Sequence, residues 1–183
     1  MDTVTKDRLD RAFRGFSQHG DYITRATYTG QARALAEASG RDPESPAVRD
    51  LTDQLGAMWD RFSELTDLDD EGRIDRDAWT KISERLFDSL MAVGPDDEWP
   101  LDPYIRGLFR VIDADDDGRI TKDEYGAWLT SLGLAEDTDL DSAFAGFDEN
   151  GNGTLSWEEF SNCSRQYWTQ TDPSLPGSRW LGP

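Results

Sequence analysis

The stretch that decides the fold is Asp113-Ala114-Asp115-Asp116-Asp117-Gly118-Arg119-Ile120-Thr121-Lys122-Asp123-Glu124. A twelve-residue loop that wraps Ca2+ needs oxygen donors at alternate positions, a sharp turn in the middle and a two-oxygen clamp at the end. Asp113, Asp115 and Asp117 fill positions one, three and five, and Gly118 supplies the turn. Arg119 offers its backbone carbonyl, Thr121 acts directly or through a water, and Glu124 closes the ring. Ile120, at position eight, points away from the ion into the core, where it can pair with the same position of a neighbouring loop. That neighbour starts at Asp148. Asp148, Asn150, Asn152, the Thr154 carbonyl, Ser156 and Glu159 repeat the donor order, with Gly153 at the turn and Leu155 at the apolar position. An acidic turn between helices has no reason to fill every demanded position twice in one order.

A chain of 183 residues is long enough for one or two domains with proper cores. Its net charge of −19 excludes a general nucleic-acid binder, which needs clustered Lys and Arg, and makes cations the natural partner. The lone Cys163 has no partner for an internal disulfide and reads as a small core or semi-buried residue. The first residues are too acidic and polar for a signal peptide, and no apolar run approaches membrane-spanning length. The expectation is a cytoplasmic monomer that binds neither membrane nor nucleic acid.

Outward from the two loops, the N-terminal half repeats the same plan with losses. Leu9, Ala12, Phe13 and Phe16 share one face of a helix that begins near Thr5. The loop due at Ser17 holds Ser17 and His19 at early donor positions, brings its apolar Ile23 one place early and has Thr27 where the clamp belongs. It is expected to keep the shape and lack the metal. His19 has no second His or Cys near it in the chain and reads as a solvated loop residue. A helix runs on to Ser39 and stops at Gly40, and the connector from Arg41 to Pro46 leads to a long helix with a buried stripe of Val48, Leu51, Leu55, Met58, Trp59, Phe62 and Leu65. The second loop has Asp67, Asp69, Glu71, Gly72, Arg73, Ile74 and Asp75 in acceptable positions, but Ala78 replaces the clamp. Two readings stay open for it, an empty loop or one that weakly holds Mg2+ or Ca2+ through Asp67, Asp69, Glu71, Arg73 and Asp75. Ile74 and Ile23 remain able to pair across a short antiparallel bridge.

Trp79, Ile82, Leu86, Phe87, Leu90 and Met91 continue the helical pattern toward Gly94-Pro95. Three prolines in the segment 94–103 rule out a continuous rod, so the halves are expected to fold against one another. Tyr104, Ile105, Leu108, Phe109 and Ile112 precede the third loop, and Trp128, Leu129 and Leu132 line the helix that follows it and stops at Gly133. Leu140, Ala143, Phe144 and Phe147 precede the fourth loop, and a last helix runs from Trp157 to Trp168. The tail carries Leu175, Trp180 and Leu181 between and beyond Pro173 and Pro176, and is expected to dock in a groove between helices. Of seven tryptophans, Trp59, Trp79, Trp128 and Trp168 fall on apolar faces and fill a core, with a cavity for a flat apolar ligand as the alternative. Trp157 is expected at the surface beside the metal.

These loops resemble the EF-hand pattern. A chain of four hands with only some complete resembles the sarcoplasmic calcium-binding proteins and the calerythrin family, over about Arg8 to Trp168. The resemblance implies an all-α fold of four EF-hand helix–loop–helix units in two paired lobes, with short antiparallel bridges between paired loops. Residues 1–93 would form an N-terminal pair with two degenerate loops, 94–103 a Pro-rich linker, 104–168 a C-terminal pair with two working loops, and 169–183 a tail docked on the lobes. The chain departs from calerythrin at its first loop, so two Ca2+ ions are expected rather than three. The third and fourth hands, with Trp168, the Thr171-Asp172-Pro173 step and Pro183, also resemble the calcium-regulated photoproteins and luciferin-binding proteins. Photoproteins use a histidine in the last helix where Ser164 stands here, so that activity is not carried over.

The function that follows is Ca2+ buffering or modulation through the third and fourth loops, the third attracting the ion more strongly because it has more carboxylates. A sensor that opens onto an unidentified protein target is the rival reading. Only Met58 and Met91 besides Met1 are available for the Met-rich groove a sensor exposes, and both lie in the half with incomplete loops. A Ca2+-dependent carrier of a small aromatic molecule is the third. No Ser-His-Asp or Cys-His arrangement and no phosphate-binding glycine loop points to an enzyme.

Overall fold

Apolar residues at spacings of three and four build α1 (Thr3–Phe16), α3 (Gln31–Ser39), α4 (Pro46–Leu65) and α5 (Arg76–Met91) in the first half of the computed structural model, and the short α2 (Arg25–Thr29) buries Tyr28. The second half holds α6 (Asp102–Ile112), α7 (Lys122–Ser131), α8 (Leu140–Phe147) and α9 (Trp157–Thr169). The structure describes residues 3–66, 68–94, 98–170 and 172–182. Asp67, Pro95, Thr171 and Pro183, each named above, lie outside the described residues.

The apolar position of each loop is where the loops touch. β1 (Ile120–Thr121) pairs antiparallel with β2 (Thr154–Leu155), Ile120 opposite Leu155. In the first half, Ile23 and Ile74 form an isolated antiparallel bridge, their N–H groups donating to each other's carbonyls at 2.8 and 2.9 Å. All four side chains are buried. Each extended pair is followed directly by a helix whose N-cap is the ninth loop residue: Asp75, Thr121 and Ser156 each accept a hydrogen bond from the backbone three residues on, and Thr24 does the same for α2.

Edge-on aromatic contacts link the helices within each half. Phe16 meets Tyr28 and Trp79 at centroid distances of 5.2 and 5.4 Å, and Phe62 meets the same two rings at 5.5 and 5.9 Å. In the second half Tyr125 packs on Phe147 at 5.5 Å and on Trp128 at 5.8 Å. The halves meet through α3 against α6 and α7, α4 against α6, and α5 against α9. Trp99 and Leu101, just before α6, are buried as well. Among the described residues no helix is long and apolar enough to cross a membrane.

The tail lies across α9. Gly177 makes this possible, because a Cβ there would collide with the Cys163 carbonyl and the Gln166 side chain. Its N–H donates to Gln166 Oε1 at 2.9 Å. Trp180 and Leu181 are 2 % exposed, and Trp180 packs on Trp128, Tyr167 and Phe160 at 4.9, 5.6 and 5.7 Å. The first helix grips the same region: Arg8 donates to the carbonyls of Tyr167 and Gln170, and Arg11 to that of Leu181 at 3.0 Å. Tyr167 returns a hydrogen bond to the Arg8 carbonyl at 2.8 Å.

Several local expectations need correction. The helix expected to run to Ser39 is broken at Gly30, which ends α2 and begins α3; a Cβ there would sit 2.7 Å from the Ala26 carbonyl oxygen. Met91, which closes the apolar pattern of α5, is 54 % exposed. Trp157 is half-buried, with Phe109 against it at 5.7 Å and the Arg106 guanidinium 4.1 Å from its centre, so packing covers part of the ring. His19 is exposed, yet its Nε2 lies 3.1 Å from the Gly133 carbonyl across the molecule.

Cys163 is buried, and burial, with Glu149 and Glu159 adding to it, pushes its thiol up to about 12. At pH 8 only about one such thiol in ten thousand is ionised. A disulfide reagent is therefore expected to label the native protein far more slowly than the urea-unfolded chain. Equal labelling rates would contradict this burial.

Candidate metal centre

In the third loop the chain turns back on itself because Asp116 and Gly118 take left-handed backbone angles, φ 59° and 82°. The amides exposed by that turn fix the acidic side chains. Asp113 Oδ2 accepts from the Gly118 N–H at 3.0 Å and Oδ1 from that of Asp117 at 3.1 Å, while Asp117 Oδ1 accepts from the Arg119 N–H at 2.8 Å. Asp113, Asp115 and Asp117 each offer a carboxylate oxygen, and these atoms lie within 4.8 Å of one another. Asp113 is only 5 % exposed. Burial, with Glu124 and Asp117 nearby, raises its carboxyl above the usual range despite the amides that bond it. A buried carboxylate crowded by others is the environment that a hard divalent cation relieves, and the donors are all oxygen, so these residues fit Ca2+.

Glu124 is folded over the ring. Its Oε1 accepts from the Ala114 N–H and its Oε2 from the Thr121 N–H and hydroxyl, all at 2.8 Å. Thr121 Oγ1 in turn accepts from the Glu124 N–H at 3.3 Å, so the closing glutamate is also half of a capping box for α7. The fourth loop repeats this. Glu159 Oε1 accepts from the Asn150 side-chain amide at 2.7 Å, and Oε2 from the Ser156 N–H and hydroxyl at 2.9 and 2.8 Å. Burial works to raise the Glu159 carboxyl, but the Ser156 and Asn150 donors outweigh it and hold it below the usual range. Asp148 accepts from the Asn152 and Gly153 N–H groups at 3.0 and 2.7 Å, and Gly151 and Gly153 supply the left-handed turns. The Thr-x-x-Glu and Ser-x-x-Glu spacing of these capping boxes was present in the sequence, and the metal pattern hid it.

The loops of the first half spend the same positions on other contacts. In the first, Thr27 takes the clamp position and completes a capping box with Thr24, its hydroxyl accepting from the Thr24 N–H at 2.9 Å. In the second, the guanidinium of Arg73 bonds Asp69 at 2.8 Å and Glu71 at 2.5 Å, and its face covers the Tyr22 ring at 4.0 Å. Asp75 caps α5 through the Ala78 N–H at 2.7 Å. A side-chain cation thus engages the acids that would have served a metal. In the third loop Arg119 turns the other way, to Thr154 Oγ1 at 3.1 Å. Ala78→Glu is expected to create a third Ca2+ site weaker than the others, and adding Arg73→Gln to strengthen it several-fold. Calorimetric stoichiometry reads both steps, and a site that ignores Arg73 would refute the competition.

A family model described as an EF-hand domain pair matches residues 102–163, the part that carries the two complete loops. The chain is also 29 % identical to calerythrin of Saccharopolyspora erythraea over 166 residues, covering 90 % of this chain and 92 % of that protein. Residues 102–163 thus form an EF-hand pair. The chain is a calcium-binding EF-hand protein similar to calerythrin, and the cluster of Asp113, Asp115 and Asp117 can hold the ion. Among solved structures it is similar to a calcium-binding protein of Streptomyces coelicolor, described in the context of prokaryotic calcium-mediated regulation. The two share 26 % identity and a TM-score of 0.70, over 90 % of this chain and 98 % of that one. Calcium-loaded apo-aequorin from Aequorea victoria shares the fold, with a TM-score of 0.74, 18 % identity and 94 % coverage of each chain.

Proposed function

We propose that this EF-hand protein binds two Ca2+ ions, one in loop 113–124 and one in loop 148–159, and works as a calcium buffer or modulator. In this reading the chain is four EF-hand units in two lobes, and the first two loops serve as struts. Asp113, Asp115, Asp117, the Arg119 carbonyl, Thr121 and Glu124 form the first donor set; Asp148, Asn150, Asn152, the Thr154 carbonyl, Ser156 and Glu159 form the second. The observation that carries the proposal is the inward fold of Glu124 and Glu159 over rings of oxygen donors already held by backbone amides. Such preorganisation leaves little rearrangement for binding to drive, which suits a buffer better than a switch.

The space between the halves points the same way. Where Phe16, Leu55, Tyr104, Trp128, Trp168 and Trp180 converge, a partly enclosed cavity of about 20 Å³ remains, room for about one water molecule. A larger ligand could enter this space only if Trp180 and Leu181 of the tail left it. Titration calorimetry of the full chain tests the proposal, with two Ca2+ per chain expected. A stoichiometry of one, three or four overturns it.

A further inference from the structure

Arg41 follows α3 in the N-terminal half. Gly40 ends that helix in a left-handed turn at φ 74°, and the Arg41 N–H closes on the Ala36 carbonyl at 2.9 Å. From there the side chain crosses to the third loop, where Nη2 donates to the Asp113 carbonyl and, at 2.7 Å, to Asp116 Oδ1. Neither atom belongs to the proposed donor set. The guanidinium side chain is 9 % exposed, and its Nε is buried with no hydrogen-bond partner among the described residues. Asp116 meanwhile holds the left-handed backbone that side chains other than glycine rarely adopt.

A charge has therefore been taken out of water, with one donor left unbonded, to place a cation beside Asp113, Asp115, Asp116, Asp117 and Glu124. Desolvating a guanidinium is unfavourable, and the negative field of those carboxylates is what offsets it. A divalent ion within the loop would cancel the same field. The second loop shows the arrangement carried further, with Arg73 bonded directly to Asp69 and Glu71.

We propose that Arg41 and Ca2+ compete for the field of the third loop, so that loading this loop loosens the grip of the N-terminal connector on it. This rests on the reading that loop 113–124 binds Ca2+. Arg41 is then a positioning residue that lowers the affinity of the loop and ties its occupancy to a contact between the two halves. Coupling of this kind is reciprocal: the factor by which the ion weakens the Arg41 contact is the factor by which Arg41 weakens ion binding.

The test uses the full chain in an E159Q background, so that calorimetry reads the third loop. R41M is expected to tighten Ca2+ binding about fivefold at low ionic strength, the size of a unit charge roughly 9 Å from a divalent ion in a water-like dielectric. The gain should shrink in about 0.5 M salt. R41K, which keeps the charge, should stay within about twofold of the parent. Unchanged or weaker binding by R41M overturns the proposal, and so does a gain that salt leaves intact. The wild type provides a readout that needs no Arg41 variant: Ca2+ should speed amide exchange in residues 40–46 while slowing it in the loop. Slower or unchanged exchange in the connector also overturns the proposal. Binding that persists in E124Q/E159Q would instead refute the site itself, a separate failure.

Discussion

Glu124→Gln is expected to remove one of two Ca2+ sites, Glu159→Gln the other, and the double variant to bind none. Glutamine keeps the size of the side chain but has one acceptor oxygen where the carboxylate has two. In the third loop Oε1 faces the Ala114 N–H and Oε2 faces the Thr121 N–H and hydroxyl. An amide nitrogen in either place meets a donor, so the capping of α7 weakens, at a cost of about 0.5–2 kcal/mol in the metal-free protein. The effect on the ion is larger. Losing even an outer partner of a metal site costs about 10- to 100-fold in affinity, and here a charged donor of the ring itself is lost. At a Ca2+ concentration about one hundred times the dissociation constant, each intact site adds about 2.7 kcal/mol to stability. Urea unfolding with and without Ca2+ should thus show that increment halved in each single variant and absent in the double. Two ions still bound by Glu124→Gln would dismiss the assignment of the third loop.

Trp180→Ala is expected to destabilise the protein by about 3–5 kcal/mol without touching a metal donor. The ring is 2 % exposed and contacts Trp128, Tyr167 and Phe160, while its backbone carbonyl accepts from the Tyr125 hydroxyl at 3.1 Å. Truncation opens a hole among three buried or nearly buried aromatic rings, and close packing around them leaves little collapse to refill it. For a chain of this size the midpoint of thermal unfolding should fall by roughly 10 °C. Calcium stoichiometry should stay at that of the parent. A change of less than about 1 kcal/mol would mean that the tail merely rests on the surface.

Periodic apolar residues and the alternating donors of two loops were readable because each depends on spacing along a short stretch. Ile120, Leu155, Ile23 and Ile74 could be paired from their loop positions alone, and the structure brings Ile120 to Leu155 and Ile23 to Ile74. Arg41 was not readable, since its partners Asp113 and Asp116 are distant in sequence and nothing local requires an arginine after Gly40. Arg73 escaped for a different reason. Position seven contributes only a carbonyl, so its side chain is unconstrained by the loop rule, and the same residue type turns outward at Arg119 and inward at Arg73. The half-burial of Trp157 likewise depends on Phe109 and Arg106 of another helix.

The clasp between α1 and the last residues gives the polypeptide a temporal order as well as a shape. Arg8 and Tyr167 bond one another's backbone carbonyls across 159 positions, so α1 cannot reach its final place during synthesis until Tyr167 has emerged. Closing so long a span is slow, though its entropic cost grows only with the logarithm of its length. Until then the apolar face of α1 is left waiting, and this period is when a nascent molecule is open to unwanted association.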